Sequence, residues 1–186
     1  MKSNQEISDN DLFRNFVDNK KPETLFRELM GRYKQKVYSQ VRRILIKHDD
    51  ADEVTQIVFI KLWKNADNFK FNSALSSFIY RIAYNECMTF LKQNGRFSSI
   101  DEVMDKDGHY GNIVKQGNDL DGNKIMRQLQ AALLTLPEKQ RLVFNYKYFD
   151  DLPYKEISEI TGTSEGALKA SYHHAVEKIK FFLEKD

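Results

Sequence analysis

A chain of 186 residues that is 41% hydrophobic and 12% aromatic has apolar surface enough for one large or two small packed cores, and too much for a disordered protein. No apolar run approaches the roughly 20 residues of a spanning helix, and MKSNQEISDNDLF lacks the charged head and apolar block of a secretory signal; the expectation is a cytoplasmic protein with no direct membrane insertion. The single cysteine, Cys87, cannot close an internal disulfide, and no Cys/His group has metal-ligand spacing, so neither a metal nor another cofactor is expected.

The net charge of +2 is unevenly spread. Residues 22–96 hold 13 Lys/Arg against 8 Asp/Glu, residues 97–123 hold 2 against 6, and residues 124–186 hold 10 against 9. A basic first half is thus followed by an acidic joint. Phosphate binding depends on local positive surface, which makes the division more informative than the sum.

In chain order, Leu25 to Leu45 places Phe26, Leu29, Met30, Tyr33, Val37, Val41, Ile44 and Leu45 at helical spacing, which predicts one long amphipathic helix. Its other face carries Arg32, Lys34, Lys36, Arg42, Arg43 and Lys47. A second helix is expected from the cluster Asp49-Asp50-Ala51-Asp52-Glu53, with Asp50 and Glu53 in the spacing of a capping box, through to Trp63. It has two apolar stripes. Val54, Ile57, Val58 and Leu62 form one; Asp52, Gln56, Phe59, Ile60 and Trp63 form the other on roughly the opposite side. A surface helix needs one apolar face, so the second stripe implies full burial or a protein partner. Burial suits Phe59 and Trp63 individually, whereas Gln56 and its acidic neighbours suit a contact surface.

After FKFNSALSSF, a third helix from about Ser76 to Gln93 has Phe78, Ile79, Ile82, Ala83, Cys87, Phe90 and Leu91 on its apolar side. These three helices make a first all-α domain over residues 22–96. Residues 97–123 show no sustained period and contain Gly108, Gly111, Gly117 and Gly122; they read as a flexible acidic linker, too long for a loop inside one domain. A second domain over 124–186 follows. Ile125, Leu129, Ala132, Leu133 and Leu136 form a stripe stopped by Pro137, and Leu142, Val143, Tyr146 and Tyr148-Phe149 form the next. Two more helices are predicted at about Tyr154–Thr161 and Glu165–Leu183. No strand pattern occurs.

Residues 154–173 (YKEISEITGTSEGALKASYH) fit a helix-turn-helix. Gly162 stands where the turn needs positive φ, Ser158 where the crossing helices need a small residue, Ile157 and Leu168 where they share a core, and Ser164 at the N-cap of the second helix. That helix would offer Glu165, Gly166, Lys169, Ala170, His173 and His174 to a major groove, with Lys169 and Lys178 near phosphates. A plain helical hairpin shares the glycine corner; the joint match at turn, small position and core favours helix-turn-helix.

With these motifs in place, the chain resembles the extracytoplasmic-function (ECF) sigma factors. DDADEVTQIVF at 49–59 resembles their polymerase-binding signature, FKFNSALSSFIYRIAYNECMTFLKQNGR at 69–96 their promoter-melting segment, and Leu136-Pro137-Glu138-Lys139-Gln140-Arg141 with the helix-turn-helix their C-terminal domain. The resemblance implies two small helical domains, sigma2-like and sigma4-like. Asp50, Asp52, Glu53, Gln56 and Phe59 would dock on the clamp helices of RNA polymerase's largest subunit. Phe69, Phe71, Asn72, Ser73, Ser76, Ser77, Tyr80 and Arg81 would hold the non-template strand of the −10 element: small polar residues admit a flipped base, aromatic rings stack on exposed bases, and cations follow the backbone. Ser164, Glu165, Gly166, Lys169, Ala170, His173, His174 and Lys178 would read the −35 duplex, while the preceding helix meets the polymerase flap. An anti-sigma partner is implied as well, and no small-molecule substrate.

There are departures from the family's pattern. Ala167-Leu168-Lys169-Ala170-Ser171 replaces the usual Thr-Val-Lys-Ser-Arg, His174 and Val176 stand where Arg is usual, and Ile57 follows Gln56 where an acid is common. Fewer fixed cations weaken phosphate anchoring. No glycine loop for phosphates, metal set or nucleophile motif points to an enzyme. A stand-alone helix-turn-helix regulator would bind duplex tightly without polymerase, usually as a dimer; a helical adaptor would bind protein alone.

Overall fold

The computed structural model of the chain describes residues 7–94 and 124–184. The predicted linker, 97–123, lies outside the described residues. Among the described residues there are eight α-helices and no strand: α1 (Asp9–Asp18), α2 (Glu23–Leu45), α3 (His48–Lys64), α4 (Leu75–Gln93), α5 (Lys124–Leu134), α6 (Glu138–Tyr148), α7 (Tyr154–Thr161) and α8 (Glu165–Glu184), with a 3-10 turn at Ala66–Asn68. The all-α expectation holds. Two compact units divide the chain, Met1–Phe90 and Leu91–Asp186, so the division falls in the last turn of α4.

In the first unit, α2 buries Phe26, Leu29, Tyr33, Val37, Val41, Ile44 and Leu45, the stripe expected of it. It packs against α3 on one side and α1 on another. The helix α1 was not anticipated. Ser8 caps it, its hydroxyl oxygen accepting from the Asp11 N–H at 3.2 Å. Leu12, Phe13 and Phe16 are wholly buried, each such side chain contributing about 1.5–3 kcal/mol of transfer free energy. A polar clasp fixes its start: Arg32 donates to the Asp9 carboxylate and the Ile7 carbonyl, each at 2.8 Å, and the Tyr33 hydroxyl donates to Asp9. Burial pushes the Asp9 carboxyl up, but the hydrogen bonds from Tyr33 and Arg32 outweigh it and hold Asp9 below its usual value.

The second unit is built around α8, which packs on α5, α6 and α7. Leu129, Ala132, Leu133, Leu136, Phe144, Ala175 and Ile179 form its core, with Phe149, Tyr172, Val176 and Phe182 against the edge. Pro137 ends the α5 stripe and leads into α6, extended at ψ 145. The Arg141 guanidinium is buried here, and burial lowers its affinity for a proton despite the Glu138 charge.

Candidate functional site

Three surfaces take up the predicted residues. The first is α3. It starts three residues earlier than the capping-box reading required: Lys47 is the N-cap, without a side-chain cap, and Asp49 and Asp50 lie in the first turn. Asp50 therefore does not cap the helix. Its charge still favours this end, since negative groups suit the positive end of the helix dipole. His48 fills the starting turn, its Nδ1 2.7 Å from the Tyr38 hydroxyl and 3.5 Å from the Asp52 carboxylate.

The second apolar stripe of α3 divides. Asp52, Glu53 and Gln56 are exposed, and so is Ile60, at 53%. Phe59, expected at the polymerase contact, is 4% exposed and belongs to the core. The Phe26 and Phe59 rings meet edge-on at 6.4 Å, while Trp63 is covered by Phe26 at 4.8 Å and Phe16 at 5.1 Å. The helix that supplies Phe16 is the unanticipated α1. Among the exposed residues of α3, Asp49, Glu53, Gln56 and Ile60 share one line at helical positions i, i+4, i+7 and i+11, about 17 Å long at 1.5 Å per residue.

The second surface is the loop before α4. Phe69 is buried at 6% exposure against Phe13 (5.6 Å), Phe71 (4.7 Å) and Phe78 (5.1 Å). Tyr80 and Ser77 are buried too, at 7% and 2%. In this structure these three side chains are packed in the interior and present no open face, unlike the expectation for them. Asn72 and Arg81 are exposed, and Ser73 and Ser76 half-buried. Phe71 is half-buried with φ +56, the Arg14 guanidinium 4.9 Å from its ring centroid. The Asn10 carboxamide bridges the loop, donating to the Ser73 carbonyl at 3.1 Å and accepting from the Leu75 N–H at 2.9 Å. Asn10 and Arg14 were missed with α1. Ser8 three residues before Asp11, then Leu12, Phe13, Phe16 and Val17 on one side, was the available signal.

The third surface is the corner of α7 and α8. Gly162 adopts φ 70, ψ 13 and its N–H closes α7 on the Ser158 carbonyl at 2.9 Å. Ile157 and Leu168 are buried at 0% and 1%, and the Ser164 hydroxyl oxygen accepts from the Ala167 N–H at 3.4 Å. The helix-turn-helix geometry follows. Glu165, Gly166, Lys169, Ala170, His173, His174 and Lys178 all lie exposed on α8, as does Ser164 at its start. Lys169 reaches Glu165 at 3.9 Å and lies 5.7 Å from the Tyr154 ring. His173 and His174 share Glu177, at 3.3 and 3.6 Å.

Residues 29–97 match the family described as Sigma-70 region 2, and residues 126–179 match Sigma-70, region 4. The ECF RNA polymerase sigma factor SigW of Bacillus subtilis (strain 168) is 30% identical over 162 residues, covering 83% of this chain and 87% of that protein. The chain belongs to the ECF sigma factors. The ECF RNA polymerase sigma-E factor of Escherichia coli (strain K12) is 29% identical over 161 residues, covering 83% of this chain and 84% of that one.

Two solved structures share the fold. CnrH in complex with the cytosolic domain of CnrY matches at TM-score 0.69 and 18% identity over 96% of this chain and 98% of that one. The sigma factor RpoE in complex with the anti-sigma factor NepR from Bartonella quintana matches at TM-score 0.67 and 19% identity over 87% and 98%. This sigma factor thus directs RNA polymerase to promoters, and both family regions in one chain speak against a stand-alone helix-turn-helix regulator. No described helix is long and apolar enough to cross a membrane. The region 2 match begins inside α2, leaving α1 outside it.

Proposed function

We propose that the sigma factor divides initiation among the three surfaces, with α3 binding core polymerase, the loop and start of α4 holding the −10 strand, and α8 reading the −35 duplex. The observation that carries the reading is the open line Asp49, Glu53, Gln56 and Ile60 on α3. An isoleucine left half in solvent amid acids and an amide is a small apolar centre with a polar rim, the composition of a protein contact. Asp52 flanks it. Phe59 supports the helix from beneath.

Asn72, Ser73 and Ser76 are small, polar and at least partly open, which suits admission of an extruded base, and Arg81 on the next turn suits its backbone. On α8 the exposed set from Ser164 to Lys178 suits the major groove, with α7 and the helices before it toward the polymerase flap. The chain makes and breaks no bonds of its own in this reading. It acts in the cytoplasm, where its polymerase works, through a first domain at 22–96, a linker at 97–123 and a second domain at 124–186. Two similar folds are known in complexes, one of them named as an anti-sigma complex, and this supports an anti-sigma partner competing for the same surfaces.

The test is transcription with purified core polymerase on a fragment library, followed by sequencing of the start sites. Gln56→Ala with Ile60→Asp should weaken core association, Asn72→Ala with Ser76→Ala should spare association and reduce melting, and Lys169→Ala should lower selection at −35. Unchanged core association in the α3 variant would sink the assignment of that helix.

A further inference from the structure

We infer that α1 is the template that sets the −10 loop, with Asn10 as the positioning residue. The inference rests on the proposed assignment of that loop to the −10 strand. Leu75 is the first residue of α4, so its N–H has no acceptor within the helix. The residue before a helix ordinarily caps, with a side-chain oxygen, the N–H groups two and three positions further on, so the Leu75 N–H needs an acceptor from elsewhere in any case. Here Ala74 stands there and has none. The acceptor comes from 65 residues away, the Asn10 Oδ1 at 2.9 Å, while the Asn10 Nδ2 takes the Ser73 carbonyl on the other side of Ala74 at 3.1 Å.

The same face of α1 continues the grip. Phe13 lies three residues on from Asn10 and Arg14 four on, one helical turn. Phe13 meets Phe69 at 5.6 Å and Phe71 at 6.2 Å, and the Arg14 guanidinium lies 4.9 Å from the Phe71 ring centroid. Phe71 has φ +56, a conformation a bulky L residue keeps only when its surroundings hold it there. The backbone on both sides of Asn72 is therefore tied to α1, by the Phe71 ring before it and the Ser73 carbonyl after it. A loop held in one shape before the strand arrives loses less freedom in capturing a base than one that must be ordered on contact.

The experiment uses the full chain with core polymerase and a promoter recovered from the library transcription, carrying 2-aminopurine in the non-template strand of its −10 element. Asn10→Ala should reduce the fluorescence gain on melting by roughly fivefold to thirtyfold, the loss of one or two hydrogen bonds' worth of preorganisation. Core-polymerase affinity should stay at the wild-type value. Adding Ala74→Ser, whose hydroxyl can cap the Ser76 or Ser77 N–H and hold the helix start from within the loop, should restore part of the melting, and the urea midpoints of the two variants separate this from a change in overall stability. Arg14→Ala, at an exposed position that the fold does not need, should give a smaller loss in the same direction and carries the test if Asn10→Ala does not fold. Asn72→Ala is the separating arm. If it melts the promoter normally, the loop assignment itself is wrong. If it fails while Asn10→Ala and Arg14→Ala melt as wild type, the assignment stands and the role of α1 is overturned. Equal loss of core binding and melting in Asn10→Ala, without rescue by Ala74→Ser, overturns it as well.

Discussion

Two glycines four residues apart at the α7–α8 corner should respond to the same substitution with opposite sign. Gly162 sits at φ 70, ψ 13 between the helices, and a Cβ built there meets nothing within 4 Å. Gly162→Ala therefore carries no clash, and its cost is the left-handed backbone itself, about 1–2 kcal/mol for an L residue. Gly166 lies in the first turn of α8 and is also open, with nothing within 4 Å of a built Cβ. Gly166→Ala should stabilise by about 0.5–1 kcal/mol, because alanine loses less conformational freedom in a helix. The two variants should differ by about 2 kcal/mol on these figures. Urea unfolding followed by far-UV circular dichroism reads this as midpoints on either side of wild type at a common slope. A Gly162→Ala midpoint at or above wild type would refute the reasoning, since it would mean the turn does not require its left-handed residue. Gly166 is also in the proposed groove-facing set, so its alanine variant should gain stability and still alter −35 selection.

Three further outcomes follow from the geometry. Asp9 is held below its ordinary value, so its contribution to stability is present above the unfolded-state value of about 4 and is lost as pH falls through the lower folded value; Asp9→Asn should flatten the acid limb of an unfolding-versus-pH curve read by Trp63 emission, and an unchanged limb would refute this. Cys87 is buried, and burial pushes its thiol up, so a disulfide reagent should modify it only in denaturant; native-state labelling at the rate of a free thiol would contradict its core position. Lys169 and Lys178 are the cations of the proposed −35 set, so sodium titration of polymerase-free binding to a −35 duplex should give a log–log slope of about −2, and a much steeper slope would mean other cations do the anchoring.

Legibility followed how local each signal was. The glycine corner at 162, the Ser164 cap and the Ile157–Leu168 pair depend on neighbours in sequence, and the structure has them as expected. The long α2 stripe was equally readable, since eight apolar residues at one period admit one face. The start of α3 was not, because four acids in five residues from Asp49 to Glu53 satisfy several capping registers and only the backbone chooses between them. Core packing was legible for Phe59 and Trp63, which suited the core from their sequence, and least legible for the aromatics around the loop, Phe69 and Tyr80. Whether Phe69 faces solvent or the core depends on what another helix places over it, and no periodicity around the loop contains that information.

The helix that went unread, α1, packs over parts of both surfaces. Its Phe16 closes over Trp63 beside Phe26 and Phe59, and its Phe13 closes over Phe69 and Phe71. Phe59 on α3 and Phe69 and Phe71 in the loop are joined through Phe26, Phe16 and Phe13 into one packed set, in which Phe13 and Phe16 touch at 5.7 Å. Close-packed interiors transmit displacement poorly tolerated by their neighbours, so the exposed line on α3 and the loop before α4 stand on a common foundation. The polar groups left outside, Glu53 and Gln56 on one side and Asn72 with Ser76 on the other, are then the adaptable part of each surface.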